Sequence, residues 1–242
     1  MMGDDGVIWP DPMGAALQRA GGARFYRCAF QLNPFEYHGR HGNTPPFPDE
    51  VTYTRAIIDE CLAQGIEVIA VTDHYRVKTA QSLWKAARAE GLTVFPGVEA
   101  VTKDGVHLLC LFQPDKKARE LERVLGDCGI HTESDASPVG KYTAEEFLLQ
   151  SQRWDAVCIA AHVAGGGGLL KTLSGAARIA AWRSEHLHAC SLPGPVSDAP
   201  AALRPILENK NASYKRSQPV TVSMPKMSAR PKRCESRAPR AG

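Results

Sequence analysis

No stretch of this sequence is apolar for long enough to cross a membrane. The longest runs, such as Ile66–Thr72, have the length of a strand, whereas a spanning helix needs about 20 apolar residues. The seven cysteines (28, 61, 110, 128, 158, 190 and 234) are odd in number, no two have C-x-x-C spacing, and no cleavable signal sequence precedes them. This pattern argues against a thiolate zinc site and a disulfide framework, and a soluble, cytoplasmic protein in a reducing compartment is expected. Cys28, Cys110, Cys158 and Cys190 fall in expected strands and read as small core thiols. Strong charge of one sign is also lacking. The net charge is +3, and the segment from Ser223 onward carries six Lys/Arg against Glu235 alone. The rest of the chain is slightly acidic, so the body carries no global signature of nucleic-acid binding.

What is present is enough for a core. With 242 residues, 43% of them hydrophobic, the chain can bury most of its unfolded surface without disulfide or metal staples. Residues 1–22 are Gly/Ala/Pro-rich and read as a leader or connector. Phe25–Asn33 reads as a strand, followed by a Gly/Pro/His-rich loop to Pro48. Asp49 opens a helix with Gly65 at its C′ position. Ile66–Thr72 is a β-branched run suited to a sheet buried on both faces. A helix over about Lys78–Glu90 ends at Gly91 and leads to a strand at Leu92–Phe95, after which Pro96-Gly97 is expected to turn the chain. Val98–Thr102 and Val106–Phe112 flank Lys103-Asp104-Gly105, a hairpin signal. Asp115 is expected to cap a helix to about Asp127, and Thr143 with Glu146 forms a capping box for another, up to Arg153. Ala156–Ala161 and Leu187–Cys190 are further strands. This alternation predicts an α/β fold with βα units. Residues 224–242 have almost no apolar pattern and read as a disordered basic tail.

Three constellations carry chemistry. Thr72-Asp73-His74 follows an apolar strand, and residues at the carboxyl end of such a strand face the ligand crevice of α/β folds. Asp73 and His74 there suit metal binding or acid–base work; the plainer alternative is a polar strand end in which Asp73 is a cap. Glu99, after Pro96-Gly97, stands in an otherwise apolar segment, where a carboxylate needs a cation or several donors. His107, within VHLLCLF, is read equally as a ligand or as a satisfied core histidine. His162 closes AVCIAAH and repeats the placement of His74. Gly165–Gly168 follow it; without a glycine directly before Lys171-Thr172 they are not a Walker loop, and they read as a plain connector or as a close backbone approach to a ligand.

In this order and spacing, TDH, PGVE with a following G-x-H-L-L, and IAAHV resemble the second, third and fourth motifs of the PHP (polymerase and histidinol phosphatase) family, over roughly residues 24–222. The similarity extends to the N-terminal PHP region of proteins that continue into an AAA-like or SMC-like ATPase, through RFYRC, the glycine run and Tyr214, Arg216, Pro219 and Val220. The resemblance implies a distorted β/α barrel as a single domain over 23–222, with a tail over 223–242. It implies two or three divalent ions (Zn, Mn or Mg) at Asp73, His74, Glu99 and His162, with His107 as a further candidate, and Asp73 and His74 as catalytic groups. The family's first motif is H-x-H, and here Gln31 and Asn33 stand in those positions. Amide oxygens suit Mg²⁺ and Mn²⁺ better than zinc-like ions, and His38 or His41 from the next loop are candidate substitutes. The family's late Asp, often accompanied by a His, has no counterpart at Ser223, Met224, Pro225 or Lys226. The composition change there reads as a truncated or frame-shifted end.

The resemblance implies hydrolysis of a phosphate mono- or diester, with a nucleic-acid end among the candidate substrates and Arg40 or Arg76 as weak phosphate contacts. The rival reading is a catalytically impaired PHP module that senses or docks for an ATPase partner. A third is nucleic-acid binding through the basic tail, which predicts a steep salt dependence.

Overall fold

Gly65 and Gly91 each end a helix in the same way and aim the chain into the sheet. Both have positive φ, 65° and 84°. The amide after each returns to the last turn: Ile66 N–H to the Cys61 carbonyl at 2.8 Å, and Leu92 N–H to the Ala87 carbonyl at 3.1 Å. This is the Schellman arrangement that glycine favours. The computed structural model describes residues 26–44, 47–131 and 136–208, and the backbone of 220–223. The leader, the tail from residue 224 onward, and Tyr214, Arg216 and Pro219 lie outside the described residues.

The strands are β1 (Cys28–Leu32), β2 (Val68–His74), β3 (Thr93–Val101), β4 (His107–Leu111), β5 (Val157–Ala160), β6 (Leu187–Leu192) and β7 (Val220–Ser223). They form one mixed sheet in sequence order. Only β4 runs against its neighbours; the β1–β2–β3 and β5–β6–β7 pairings are parallel. The helices are α1 (Phe35–Arg40), α2 (Glu50–Ala63), α3 (Gln81–Ala89), α4 (Ala118–Asp127), α5 (Ala144–Arg153), α6 (Leu169–Thr172), α7 (Gly175–Trp182) and α8 (Arg204–Glu208). The mixed α/β architecture agrees with the sequence reading, and the sheet curls in the manner of part of a barrel. Among the described residues no pairing of β1 with β7 closes it.

Several local expectations change. The loop after β1 contains α1. Asp115 does not cap α4, whose N-cap is Lys117; its backbone N–H is held by Glu120 Oε2 at 3.0 Å. Pro96-Gly97 does not turn the chain: both lie inside β3, where Pro96 pairs with Val71 and Gly97 with Thr72 of β2. Proline is tolerated at the end of the β4 pairing, just beyond the Gly97–Leu111 pair, where its carbonyl accepts the Phe112 N–H at 2.8 Å, and glycine is required by crowding. A Cβ on Gly97 would lie 2.9 Å from Leu111 Cδ2 and 3.0 Å from the Cys110 carbonyl oxygen. The Thr143–Glu146 capping box is present.

The sheet separates two apolar groups. The larger includes Ile69, Val71, Val98, Ala100, Leu108 and Cys110 with the helices; the smaller contains Ala70, Leu109, Leu111, Ile159, Ala161 and Ala189 with Phe30 and Phe95. Side chains alternate across a strand, so β1 to β6 each feed both. The buried cysteines expected in the strands belong to this core, with Cys110 and Cys158 as cross-strand neighbours and Cys28 only half-buried.

Candidate metal centre

The two-residue period decides which polar groups can meet. In β2, Ala70 belongs to the smaller group, so Thr72 and His74 share its face, while Asp73 follows Ile69 and Val71 to the other. In β3 the same count from Phe95 brings Glu99 to the face of His74, with which it is also in register. In β4, Leu111 and Leu109 lead to His107, and since β4 is antiparallel its first residue lies at the edge where β2 and β3 end. His162 follows β5 at that edge.

His74, Glu99 and His107 accordingly converge, with one donor atom of each within 4.8 Å of the others. Glu99 Oε1 lies 2.8 Å from His107 Nδ1, 3.5 Å from His162 Nε2 and 3.7 Å from His74 Nε2. Gln31 Nε2 donates to the other carboxylate oxygen at 3.0 Å. Glu99 is buried. Burial disfavours its charge, but the imidazoles of His107, His162 and His74 outweigh that and hold its carboxyl well below the ordinary range.

Two nitrogens of the cluster are buried without a hydrogen-bond partner, His74 Nε2 and His162 Nδ1. Buried polar atoms are normally satisfied, so this pair signals a missing partner. The donor set of imidazoles and one carboxylate fits a divalent transition ion such as Zn²⁺ or Mn²⁺. The backbone is strained at the same place: Tyr75 and His162 have positive φ, 47° and 32°, a conformation that non-glycine residues keep only where surroundings enforce it. Around His162 those surroundings are Ser191, whose Oγ accepts the His162 N–H at 2.8 Å, and Gly165, whose N–H reaches the His162 carbonyl at 2.6 Å.

The glycine run is more than a connector. Gly167 (φ 71°) accepts the His107 N–H on its carbonyl at 2.8 Å, and a Cβ there would lie 2.7 Å from His107 Cδ2. The close approach is to the histidines themselves.

Asp73 does not join the cluster. Its Oδ2 accepts from the Arg40 guanidinium and from Thr79 Oγ1 (2.9 Å), and its Oδ1 from the His74 N–H (2.8 Å). Arg40 thus pairs with Asp73, with Glu36 at 3.8 Å. Arg76 is buried and bridges to Asp73 through the backbone, closing the turn after β2. Gln31 enters as a donor to Glu99, since a carboxylate only accepts. A bulge between Ala29 and Leu32 allows neighbouring residues of β1 to point alike, so Phe30 packs on the smaller group while Gln31 reaches Glu99. Asn33 lies past the strand; its carbonyl accepts from Tyr53 Oη at 2.8 Å, and its Oδ1 is buried without a hydrogen-bond partner. His38 is 3.4 Å from Tyr53 Oη, and burial, then the nearby His41, lower its pKa. His41 stacks on Tyr37 at 4.0 Å, and Tyr37 in turn stacks on His74 at 5.6 Å.

Tyr37, Ser191, Ser137 (whose Oγ lies 3.3 Å from His74 Nδ1) and the specific role of Gly167 were not legible from the sequence. Only Gly167 carried a signal, its place in the glycine run.

No family model matches the sequence, and no curated protein matches it. Solved structures do. The lesion-specific endonuclease Q of Pyrococcus furiosus superposes with a TM-score of 0.56 at 15% identity, covering 82% of this chain and 47% of that one. A protein of Bifidobacterium adolescentis described as a metal-dependent phosphoesterase gives 0.52 at 13% identity, over 84% and 88%. The chain shares their fold. A complex of endonuclease Q with a 27-mer duplex bearing an abasic lesion at its active site gives 0.50 at 15% identity, over 68% and 42%. This chain spans about half the length of endonuclease Q. These structures do not show the link to ATPase N-termini, which rests on the sequence motifs. Among the described residues no helix is long and apolar enough to cross a membrane.

Proposed function

We propose that this chain is a PHP-type phosphoesterase domain, a distorted β/α barrel in family terms, with a divalent cation held by His74, Glu99 and His107 and completed by His162. The observation that carries the reading is the sharing of Glu99 Oε1 among three imidazoles while His74 Nε2 stays buried without a partner. A bound cation supplies an activated water and polarises a phosphoryl oxygen. The chain's own residues do the rest. Gln31 fixes the Glu99 carboxylate so that one oxygen faces the histidines. Gly167 sets the His107 ring, and Ser191 anchors His162. Asp73 holds both the His74 backbone and Arg40, which keeps a guanidinium close to the strand end where a phosphate group would be recognised.

The substrate class is a phosphate ester. A DNA phosphodiester is favoured by the shared fold with endonuclease Q, whose complex holds an abasic duplex. The test is hydrolysis of a generic phosphodiester and of a duplex with an abasic site, with Mn²⁺ or Zn²⁺, by the wild-type chain and by Glu99→Gln. Activity that follows the added metal and disappears in Glu99→Gln is expected. Metal-free wild-type protein that hydrolyses neither substrate after metal addition would overturn the reading and leave a non-catalytic module.

A further inference from the structure

Ser137 Oγ lies between two histidines: 3.0 Å from His41 Nε2 and 3.3 Å from His74 Nδ1. The other nitrogen of His41, Nδ1, is 2.9 Å from the Tyr37 carbonyl oxygen. These contacts form one chain, and its protons can be assigned from one end. A carbonyl oxygen only accepts, so His41 carries its proton on Nδ1. In the neutral ring Nε2 is then an acceptor, and the proton it accepts comes from the Ser137 hydroxyl. With its single proton committed to His41, Ser137 can offer His74 only a lone pair. His74 must therefore be protonated on Nδ1, which leaves the lone pair on Nε2.

Nε2 is the nitrogen that is buried without a partner, 3.7 Å from Glu99 Oε1. We propose that Ser137 and His41 are positioning residues that lock His74 in its Nδ1–H tautomer and so keep a bare Nε2 lone pair aimed at the ion site. The direction of the relay is set by the Tyr37 carbonyl, a backbone group that no side-chain substitution reverses. Stacking of Tyr37 against both rings, at 4.0 Å to His41 and 5.6 Å to His74, holds the planes in which the hydrogen bonds are made. A ligand nitrogen is usually oriented by the hydrogen bond its other nitrogen makes. Here that bond runs to a hydroxyl whose own orientation is dictated one residue further out. The inference rests on the proposed metal reading for its use, but not for its geometry.

The tautomer is directly observable. Two-bond ¹⁵N–¹H correlation spectra of metal-free protein labelled on histidine, taken above the ordinary imidazole titration range, report which nitrogen of His74 is protonated. The wild-type chain is expected to give the Nδ1–H form. His41→Phe keeps a ring on Tyr37 but removes the acceptor, which frees the Ser137 hydroxyl to donate to His74 Nδ1; the His74 signal should move toward the Nε2–H form. Ser137→Ala should give a mixture and Ser137→Thr should restore the wild-type pattern, with thermal midpoints verifying that each variant is folded. Zn²⁺ affinity by chelator competition should fall roughly tenfold in Ser137→Ala and His41→Phe. A wild-type His74 in the Nε2–H form, or variants whose tautomer and affinity match the wild type, would overturn the inference. Wild-type protein with the expected tautomer but no affinity for Zn²⁺ would overturn the metal reading and leave the relay standing.

Discussion

Gln31 Nε2 donates to Glu99 Oε2 at 3.0 Å, from β1 to β3 across the end of β2, and so turns the remaining oxygen of the carboxylate toward three histidines. An amide therefore does here what a cation would otherwise do for one side of a buried acid. This division of the two oxygens, one toward Gln31 and one toward the histidines of the proposed ion site, is the basis of the first prediction.

Gln31→Ala leaves Glu99 Oε2 buried without its donor. Stability should fall by about 1–3 kcal/mol, the usual penalty for orphaning a buried polar partner, measured by urea unfolding. Metal affinity should fall in parallel, since the carboxylate is then free to rotate.

The glycine at 167 makes a contrasting case. A Cβ there meets the His107 ring at 2.7 Å and is disfavoured by the positive φ. Gly167→Ala should therefore displace His107 and remove most of the bound metal, read by elemental analysis. Gly97→Ala, where the Cβ meets backbone and Leu111, should instead lower stability by about 1–3 kcal/mol through overpacking.

Acid sensitivity should pass through Glu99. Its folded carboxyl lies well below the ordinary value of 4.5 because the imidazoles of His107, His162 and His74 outweigh the opposing effect of burial. A depressed folded value stabilises the protein above the unfolded value, and that stabilisation is lost as pH falls through the folded value. Stability of metal-free wild-type protein should therefore drop on acidification below 4.5. Glu99→Gln should flatten that part of the profile, as followed by denaturant midpoints against pH.

Burial pushes the Cys61 thiol up to about 11 and the Cys128 thiol up to about 12, and raises Cys110 well beyond the ordinary thiol range. Buried thiols with so little thiolate react slowly. Alkylation of folded protein followed by peptide mapping should find Cys61, Cys110, Cys128, Cys158 and Cys190 protected until denaturant is added, with Cys28 labelled first among the described cysteines.

The sequence by itself determined β1 to β6, the helices α2 to α5 and one edge of the site, but not α1, α6 to α8 or β7. Apolar runs ending in His74 and in the residue before His162, the glycines at 65 and 91, and the Thr143–Glu146 cap are local signals, because hydrogen bonds and strand alternation act over a few residues. Glu99 could be singled out for the same reason, as a lone charge in an apolar strand. Tertiary structure decided which of these groups meet. Asp73 and His74 are adjacent in sequence yet point to opposite faces, since alternation separates neighbours, and Arg40 claims Asp73. Gln31 reaches Glu99 through a bulge that no residue pattern announced. Pro96-Gly97 reads as a turn but runs straight, because β2 pairs with both residues and β4 with Gly97, where no room is left for a Cβ. Ser137 became visible only when a loop distant in sequence placed its hydroxyl between two histidines. Contacts of that kind depend on the register of strands and the return of loops, which are fixed by packing across the whole sheet and not by any local run of residues.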